Sequence, residues 1–548
     1  MSSLFELLLR FDPTGLHDAA QAWRNLSHSA QDADSAHRSQ VNGPLRHGNW
    51  LGRDADYAFS QLERTEQILE IVRVESEVFV LTLNTVADRM YQAQTNLKNA
   101  VHRAEEWGLP VSADGSVGLP AQDAADVHDP DARADRQALS ARKGEVQERI
   151  DKALADAREA SDQGAKVLGK LDATILTQPR VFGSAAEAAN DVKDVSKDLG
   201  LTGPYIPENK DPQKTADWWK TLTPEQQQSY LALYPDQVGQ LDGLPATVRD
   251  EANRLILGQQ LDGLQAGDVR GSGMTYEEYN KREGALRELK DRLDRQDGEA
   301  EAKKLFLLGL DPRGDGKAIV ALGNPDTADH TAVLVPGTAT TLGSMPGQIE
   351  RISALQKIAG DTAPGQKVSV ISWLGYDAPE VPPESVSIAG PGRAEDAEEA
   401  MRRFTQGTRV AQGDLHSHLT VIGHSYGTTA VGAAAAGGQG LGADDIVAIA
   451  SPGMTVDTAD KLHIDPNHVW IGAADDDKIR IATGLTLGDD PMIENFGGNN
   501  INIDTSGHSG YWDRDSQSLL NQGRIIVGQR PDTVAKEPEV DPAVAPGI

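Results

Sequence analysis

Residues 418–437 of the chain read HLTVIGHSYGTTAVGAAAAG, and this stretch decides the fold of the C-terminal half. Its first part is an apolar run typical of a short buried strand, and its last part is a helix of small residues. Between them, a strained turn can place Ser425 at its apex because Gly423 and Gly427 lack side chains. This order of strand, turn and helix predicts a nucleophile elbow with Ser425 as a catalytic serine. The alternative interpretation is a structural glycine turn.

From about residue 304 to residue 530, short apolar runs alternate with helices and with turns rich in Gly, Pro and Asp. This alternation predicts a mainly parallel sheet that is covered on both faces, an α/β fold. Ligands of such sheets bind beyond the C-terminal ends of the strands, and Ser425 follows one such end. The runs that we interpret as strands are 318–322, 331–335, 368–373, 419–422, 446–450 and 468–471.

In an α/β-hydrolase fold, the catalytic acid and then the catalytic histidine follow the serine along the chain. An acid is expected after the strand at 468–471, where three aspartates are adjacent. We favour Asp477, because an aspartate, any residue and then an aliphatic residue is the usual pattern of this loop. Asp475 is the second choice and Asp476 remains open, as does a solvated turn formed by all three.

His508 is the expected catalytic base. It lies in a glycine-flanked loop before the final helix, and such a loop can bring the imidazole to the serine. There the imidazole would accept the hydroxyl proton and return it later to the leaving group. His463 and His468 precede the acid loop, so their order disfavours them. His424, inside the elbow, is expected to line the pocket.

The oxyanion of an acyl-transfer reaction needs two backbone donors that already point at it. The amide of Tyr426 is one expected donor. The other should come from the loop after the strand at 331–335, where Thr338 is the first choice and Ala339 the reserve. The residues expected to line the pocket are Gly337, His424, Tyr376 and Asp377.

The first 200 residues predict an elongated all-α helical bundle. Apolar residues recur at alternating steps of three and four through 16–33 and 69–97, which is the stripe of a coiled coil or bundle. This pattern predicts two long helices between residue 14 and about residue 108, with Trp50 and Gly52 in the connection. A third long helix is expected after residue 130.

We therefore divide the chain into four parts. Residues 1–200 form the helical bundle, and residues 201–303 form a linker and a helical segment that packs on the next domain. Residues 304–530 form the α/β-hydrolase domain, and residues 531–548 form a flexible tail. Within the second part, Thr223 and Pro224 begin a helix, and a charged helix is expected from about Tyr276 to Leu307.

Composition limits the partners and the chemistry. The net charge of −31 argues against nucleic acid as a partner, and the absence of cysteine excludes disulfides and thiolate metal sites. No apolar run is long enough for a transmembrane segment, and the N-terminus does not resemble a classical signal peptide. The chain is compatible with the cytoplasm and with type VII-like export. The predicted chemistry needs no metal and no organic cofactor.

The C-terminal half resembles an actinobacterial α/β-hydrolase domain family of unknown function. The resemblance covers about residues 215–530, and it implies a Ser-Asp-His hydrolase without implying a substrate. The loop of three aspartates departs from the single Asp-Pro pattern of that family, which leaves the acid open. The segments that carry the resemblance are Val335-Pro336-Gly337-Thr338, Trp373 to Pro379, Gly423 to Gly427, Ser451-Pro452-Gly453 and Gly507 to Tyr511.

The first hundred residues resemble the WxG-type, ESX-secreted helical hairpins, through Trp50 and Gly52 at the turn. Two functions from different classes follow from these resemblances. The first is a serine hydrolase that cleaves a small-molecule or lipid-like ester through an acyl-enzyme. The second is an exported or interaction protein whose hairpin docks a helical partner, with the hydrolase fold as an effector or as a binding module with an idle triad.

Overall fold

The computed structural model describes residues 3–48, 50–121, 130–170, 194–195, 197–199, 205–266, 274–381, 390–479 and 487–536. The chain forms two compact units, one from Met1–Asp34 and Thr65–Pro204 and the other from Ser35–Arg64 and Tyr205–Ile548. The predicted division into four parts stays a prediction. Its boundary near residue 200 and the last twelve residues of its tail lie outside the described residues.

The first unit is built from long helices, as the apolar stripes predicted. Trp23 and Phe79, which both lie on those stripes, stack with ring centroids 4.0 Å apart. Small residues bring the third long helix close, because a Cβ atom on Gly164 would lie 2.4 Å from Cγ2 of Val86. The helices are α1 (Leu4–Leu9), α2 (Thr14–His37), α3 (Gly43–His47), α4 (Arg53–Glu106) and α5 (Pro130–Lys170); α3, the end of α2 and the start of α4 belong to the second unit.

The Trp-x-Gly segment lies in the turn between α3 and α4, and this turn is part of the second unit. Gly52 has a φ of +104°, a conformation that favours glycine. Arg46 of α3 forms ion pairs with Glu63 at 3.0 Å and with Asp291 at 2.5 Å. The first ion pair joins α3 to α4 across the turn, and the second joins α3 to the helix that contains Asp291.

A group of helices precedes the sheet in the second unit. Thr223 caps one of them, as its sequence predicted, and Gln226 completes a capping box with it. Among the residues that the structure describes, no helix has both the length and the apolar character needed to cross a membrane. The helices of this group are α6 (Pro212–Thr221), α7 (Pro224–Leu233), α8 (Pro235–Val238), α9 (Ala246–Ala266) and α10 (Tyr276–Gln296).

The core of the second unit is an eight-stranded sheet with the order β1-β2-β4-β3-β5-β6-β7-β8. The pairs β1–β2 and β2–β4 are antiparallel, and every other pair is parallel. All six predicted strands are present. The strands are Leu305–Asp311, Lys317–Leu322, His330–Val335, Val368–Leu374, His418–His424, Asp445–Ile449, Val469–Gly472 and Asn499–Asn500, numbered β1 to β8.

One prediction within this unit is wrong. The charged helix ends at Gln296 rather than at Leu307, and Leu305–Asp311 is the edge strand β1. The backbone leaves the helical conformation at Asp297, whose ψ is 134°, and Gly298 follows with a φ of +87°. The apolar run at the start of β1 is buried on both faces of the sheet, and such a run has neither the helical nor the strand period.

Four helices pack on the sheet around the predicted site. They are α11 (Met345–Thr362), α12 (Gly392–Gln412), α13 (Tyr426–Ala436) and α14 (Gln517–Ile526). Helix α11 packs against α14, and α12 packs against α13. The small residues of α13 are buried, and a Cβ atom on Gly432 would lie 2.0 Å from the carbonyl oxygen of Met454. The small-residue pattern therefore allows α13 to lie close to the backbone beside it.

Candidate active site

The parallel strands bring the predicted site residues to one edge of the sheet. Val335 at the end of β3 pairs with Gly423, and His424 at the end of β5 pairs with Ile449. Ile449 in turn pairs with Gly472 at the end of β7. The loops that follow these strands therefore start side by side, and they carry the predicted oxyanion residues, the serine and the acid.

Ser425 occupies a strained turn between β5 and α13. Its backbone has φ of 56° and ψ of −131°, a region that residues other than glycine rarely adopt. Its amide donates a hydrogen bond to the carbonyl oxygen of Ile449 at 3.0 Å, which holds the turn against β6. The Ser425 side chain is buried, and its Oγ has no hydrogen-bond partner within the described residues.

The two glycines of the motif are required by close backbone contacts. A Cβ atom on Gly423 would lie 2.6 Å from the Cα atom of Thr428. A Cβ atom on Gly427 would lie 2.2 Å from the carbonyl oxygen of Val335. Real Cβ atoms essentially never approach other atoms so closely, so any other residue would force the turn open. The structure thus gives a physical reason for both glycines of the G-x-S-x-G pattern.

The structure brings His508 and Asp477 together. Nδ1 of His508 lies 3.0 Å from Oδ1 and 2.9 Å from Oδ2 of Asp477. An ionised carboxylate only accepts hydrogen bonds, so we assign the ring proton to Nδ1 and leave Nε2 as the basic nitrogen. Nε2 of His508 is buried and has no partner in the described part of the chain. Because Oγ of Ser425 also has no partner there, the structure shows no hydrogen bond between this serine and His508. The assigned tautomer leaves Nε2 able to accept a proton from a hydroxyl group that approaches it.

Asp477 is held in place by two further donors. Tyr511 donates its hydroxyl proton to Oδ2 at 2.7 Å, and the amide of Ile479 donates to Oδ1 at 3.0 Å. Burial acts to raise the pKa of Asp477, but the hydrogen bonds from His508, the Ile479 amide and Tyr511 outweigh it and lower the pKa. Asp477 is therefore ionised at neutral pH and orients the imidazole.

His424 supports the loop that carries His508. Its Nε2 donates a hydrogen bond to the main-chain carbonyl oxygen of His508 at 2.9 Å. Burial lowers the pKa of His424 well below its ordinary value, and the positive charge of Arg351 lowers it further. His424 is therefore neutral at physiological pH. Its ring lies between those of His508, at 4.9 Å, and Trp512, at 4.8 Å.

The predicted oxyanion loop passes directly over the serine. A Cβ atom on Gly337 would lie 2.6 Å from Cβ and 3.1 Å from Oγ of Ser425. The amide of Ala339 donates to the carbonyl oxygen of Pro379 at 2.8 Å, so this donor is already engaged. Tyr426 begins α13, where the first amides have no acceptor within the helix. This geometry favours Thr338 over Ala339 as the partner of Tyr426, and both roles remain predictions.

The other predicted pocket residues have defined contacts. Tyr376 is buried, and its hydroxyl donates to the carbonyl oxygen of Pro336 at 2.6 Å, so it supports the oxyanion loop. Asp377 forms an ion pair with Arg393, and both side chains are partly exposed. In the acid loop, Oδ1 of Asp476 accepts from the amide of Gly507 at 2.8 Å. Asp477 is the aspartate of this loop for which a contact with His508 is observed.

The two histidines disfavoured by their order do not join the pair formed by His508 and Asp477. Nδ1 of His468 lies 3.0 Å from Oδ1 of Asp445, which is at the start of β6 and thus at the opposite end of the sheet from Ser425. His463 follows a short 3-10 helix in a left-handed conformation, with φ of 53°.

Sequence reasoning did not assign a role to Tyr511, although it lies in one of the segments that carry the family resemblance. Its hydroxyl accepts from the amide of Ala474 at 3.0 Å while it donates to Asp477, so it links the start of the acid loop to the carboxylate. A tyrosine three residues after the expected histidine was the available signal. The segment Ser451-Pro452-Gly453 likewise supports the elbow, because Oγ of Ser451 lies 2.7 Å from Oγ1 of Thr428.

The fold and the elbow together define the C-terminal half as a domain of the α/β-hydrolase class. Comparison with known proteins agrees, because residues 311–486 match the family described as alpha/beta hydrolase. The chain therefore carries an alpha/beta hydrolase family domain.

Similar proteins occur in mycobacteria. The chain is 29% identical over 381 residues to the uncharacterised protein Rv2079 of Mycobacterium tuberculosis, which covers 60% of this chain and 58% of that protein. It is 28% identical over 225 residues to the uncharacterised protein Rv0963c of the same species, which covers 39% of this chain and 80% of that protein. The chain thus spans less than two thirds of the length of Rv2079.

Replacing Tyr511 by phenylalanine should make the stability of the protein less dependent on pH. The change removes one donor from the Asp477 carboxylate, and a hydrogen bond to a charged group contributes about 1.5–3 kcal/mol. The pKa of Asp477 is lowered in the folded state, so its contribution is present above the unfolded-state pKa of about 4. The contribution is lost as the pH falls through the folded-state pKa.

Urea unfolding at a series of pH values measures this effect. We expect Tyr511→Phe to lower the free energy of unfolding at neutral pH, and the difference from wild type to shrink as the pH falls below about 4. Tyr276→Phe is the matched control, because the Tyr276 side chain is 66% exposed. A Tyr511→Phe effect of equal size at acidic and neutral pH would contradict the assignment of this donor to an ionised Asp477.

Proposed function

We propose that the protein is a serine hydrolase that cleaves carboxylic esters through an acyl-enzyme on Ser425. The proposal rests on a contrast between two sets of atoms in the described part of the chain: the carboxylate oxygens of Asp477 have hydrogen-bond partners, and the two atoms that would react have none. The carboxylate of Asp477 receives hydrogen bonds from His508, Tyr511 and Ile479. Oγ of Ser425 and Nε2 of His508 are buried and have no partner among the described residues. These two atoms are the ones that the reaction would use.

The first half of the proposed reaction forms the acyl-enzyme. Nε2 of His508 takes the hydroxyl proton of Ser425 as Oγ attacks the ester carbonyl carbon. The amides of Tyr426 and Thr338 stabilise the negative charge that develops on the carbonyl oxygen. His508 then gives its proton to the leaving alkoxide, and the alcohol departs while the acyl group stays on Ser425.

The second half repeats these steps with water as the nucleophile. His508 takes a proton from water, the hydroxide attacks the acyl carbon, and the proton passes to Oγ of Ser425 as the acid is released. Asp477 remains ionised throughout and stabilises the imidazolium that forms twice per cycle. The proposed chemistry uses no metal and no organic cofactor.

Pre-steady-state hydrolysis of p-nitrophenyl butyrate tests the proposal. We expect a burst of p-nitrophenol equal to the concentration of active protein, because acylation of Ser425 releases the alcohol before the acyl-enzyme is hydrolysed. Ser425→Ala should abolish the burst, and His508→Ala should reduce the acylation rate by at least about 100-fold. A burst that survives in folded Ser425→Ala would place the nucleophile elsewhere. Cleavage of anilides without cleavage of esters would contradict the choice of esters.

Three conservative substitutions identify the acid. Asp477→Asn should lower kcat by about 100- to 10,000-fold, because an amide at this position favours the wrong tautomer of His508. Asp476→Asn keeps an acceptor for the Gly507 amide, so it should retain activity within a few-fold of wild type. Asp475→Asn should behave in the same way. A larger loss in Asp475→Asn than in Asp477→Asn would make Asp475 the acid.

A second candidate function concerns the hairpin turn. Leu51 is 84% exposed and Trp50 is 42% exposed, and these apolar side chains favour the proposal that the turn docks a helical protein partner in a type VII-like export pathway. In that case the hydrolase domain would be an exported effector. We expect the protein in culture fluid of intact cells, and less of it there after Trp50→Ser with Leu51→Ser. Retention of the wild-type protein in the cells would contradict export.

A further inference from the structure

Arg351 lies close to the candidate active site, on helix α11. Its guanidinium carbon is 4.3 Å from the centroid of the Trp512 ring, a cation–π distance. The Trp512 ring is 4.8 Å from that of His424, the residue directly before Ser425. His424 in turn donates to the carbonyl oxygen of His508. The guanidinium is thus one aromatic ring away from the histidine that supports the proposed base.

This guanidinium has no carboxylate partner within the described residues. Its neighbour in sequence, Glu350, pairs with Arg292 at 3.3 Å instead. Other arginines with little exposure in this unit have acidic partners, for example Arg249 with Asp242 at 2.9 Å and Arg254 with Asp250 at 2.8 Å. A partly buried charge without a counter-ion is costly, so an unpaired arginine beside a candidate active site points to an anionic ligand.

Two further features describe the surroundings of Arg351. Burial lowers the pKa of Arg351, and no carboxylate acts to raise it. Nε1 of Trp512 is buried and has no acceptor among the described residues. A ligand that brings negatively charged oxygen atoms would supply the counter-ion that the Arg351 guanidinium lacks. Carboxylate oxygens fit this demand, because a guanidinium binds them with two parallel hydrogen bonds.

We propose that Arg351 binds a carboxylate of the ester substrate, so that the enzyme acts on esters of acidic compounds. This inference rests on the proposed function and adds a substrate class to it. The positive charge of Arg351 lies one aromatic ring away from His424, the residue directly before Ser425. It can therefore orient a substrate whose acidic group and ester group lie in the same small molecule.

Matched pairs of esters test the inference. Mono-p-nitrophenyl adipate and p-nitrophenyl hexanoate differ by a terminal carboxylate on the acyl side. p-Acetoxybenzoate and its methyl ester differ in the same way on the alcohol side. We expect wild type to prefer the acidic member of at least one pair. Arg351→Gln should lower kcat/KM for that member about 10- to 100-fold more than for its neutral match, mainly through KM. Arg351→Lys should restore part of the preference.

Arg292→Gln is the control, because Arg292 lies on α10 and pairs with Glu288 and Glu350. It should leave the activity and the preference unchanged. Equal loss for acidic and neutral esters in Arg351→Gln would overturn the inference and limit Arg351 to packing against Trp512. A wild-type preference for the neutral members of both pairs would also overturn it. If none of the four esters gives a burst, the proposed function fails together with the inference. The two outcomes above overturn the inference alone, so the two failures are distinguishable.

Discussion

The geometry of the site depends on the close approach of three backbone segments at Ser425. The strained serine conformation costs about 1–3 kcal/mol, and the surrounding structure must hold it. Gly423 and Gly427 let the ends of the turn reach the neighbouring backbone, and Gly337 lets the next loop pass over the serine. The hydrogen bond from Ser425 to Ile449 fixes the turn to the sheet. A larger side chain at any of the three glycines would separate segments that the proposed chemistry needs together.

Around this turn, a satisfied polar network lies next to two unsatisfied atoms, which are the atoms that the proposed reaction would use. Asp477 and Tyr511 are buried and fully connected, which fixes the carboxylate and, through it, the ring of His508. Oγ of Ser425 and Nε2 of His508 remain without partners in the described residues. A merely structural cluster would gain stability by satisfying these two atoms, because unpaired buried polar groups destabilise a fold. The proposed function gives a reason for leaving them unpaired.

The parts that the sequence predicted are those with local patterns. The elbow has a fixed spacing of glycines, the long helices have a repeating apolar stripe, and Asp477 is favoured by the aliphatic residue that follows it. Strand β1 escapes prediction because the start of a fully buried edge strand has no period of its own, so the sequence predicts a longer charged helix in its place. The roles of Tyr511 and Arg351 depend on contacts between distant segments. In sequence, Arg351 does not differ from an ordinary surface arginine of an amphipathic helix.

Mapping the adduct of a fluorophosphonate probe by peptide mass spectrometry tests the central claim most directly. The probe phosphonylates a serine only when a neighbouring base activates it. An activated Ser425 predicts one phosphonyl group per protein molecule, located on the peptide that contains residue 425. It also predicts much slower modification in His508→Ala. A folded wild-type protein that stays unmodified, or that carries its adduct on another residue, would contradict the claim.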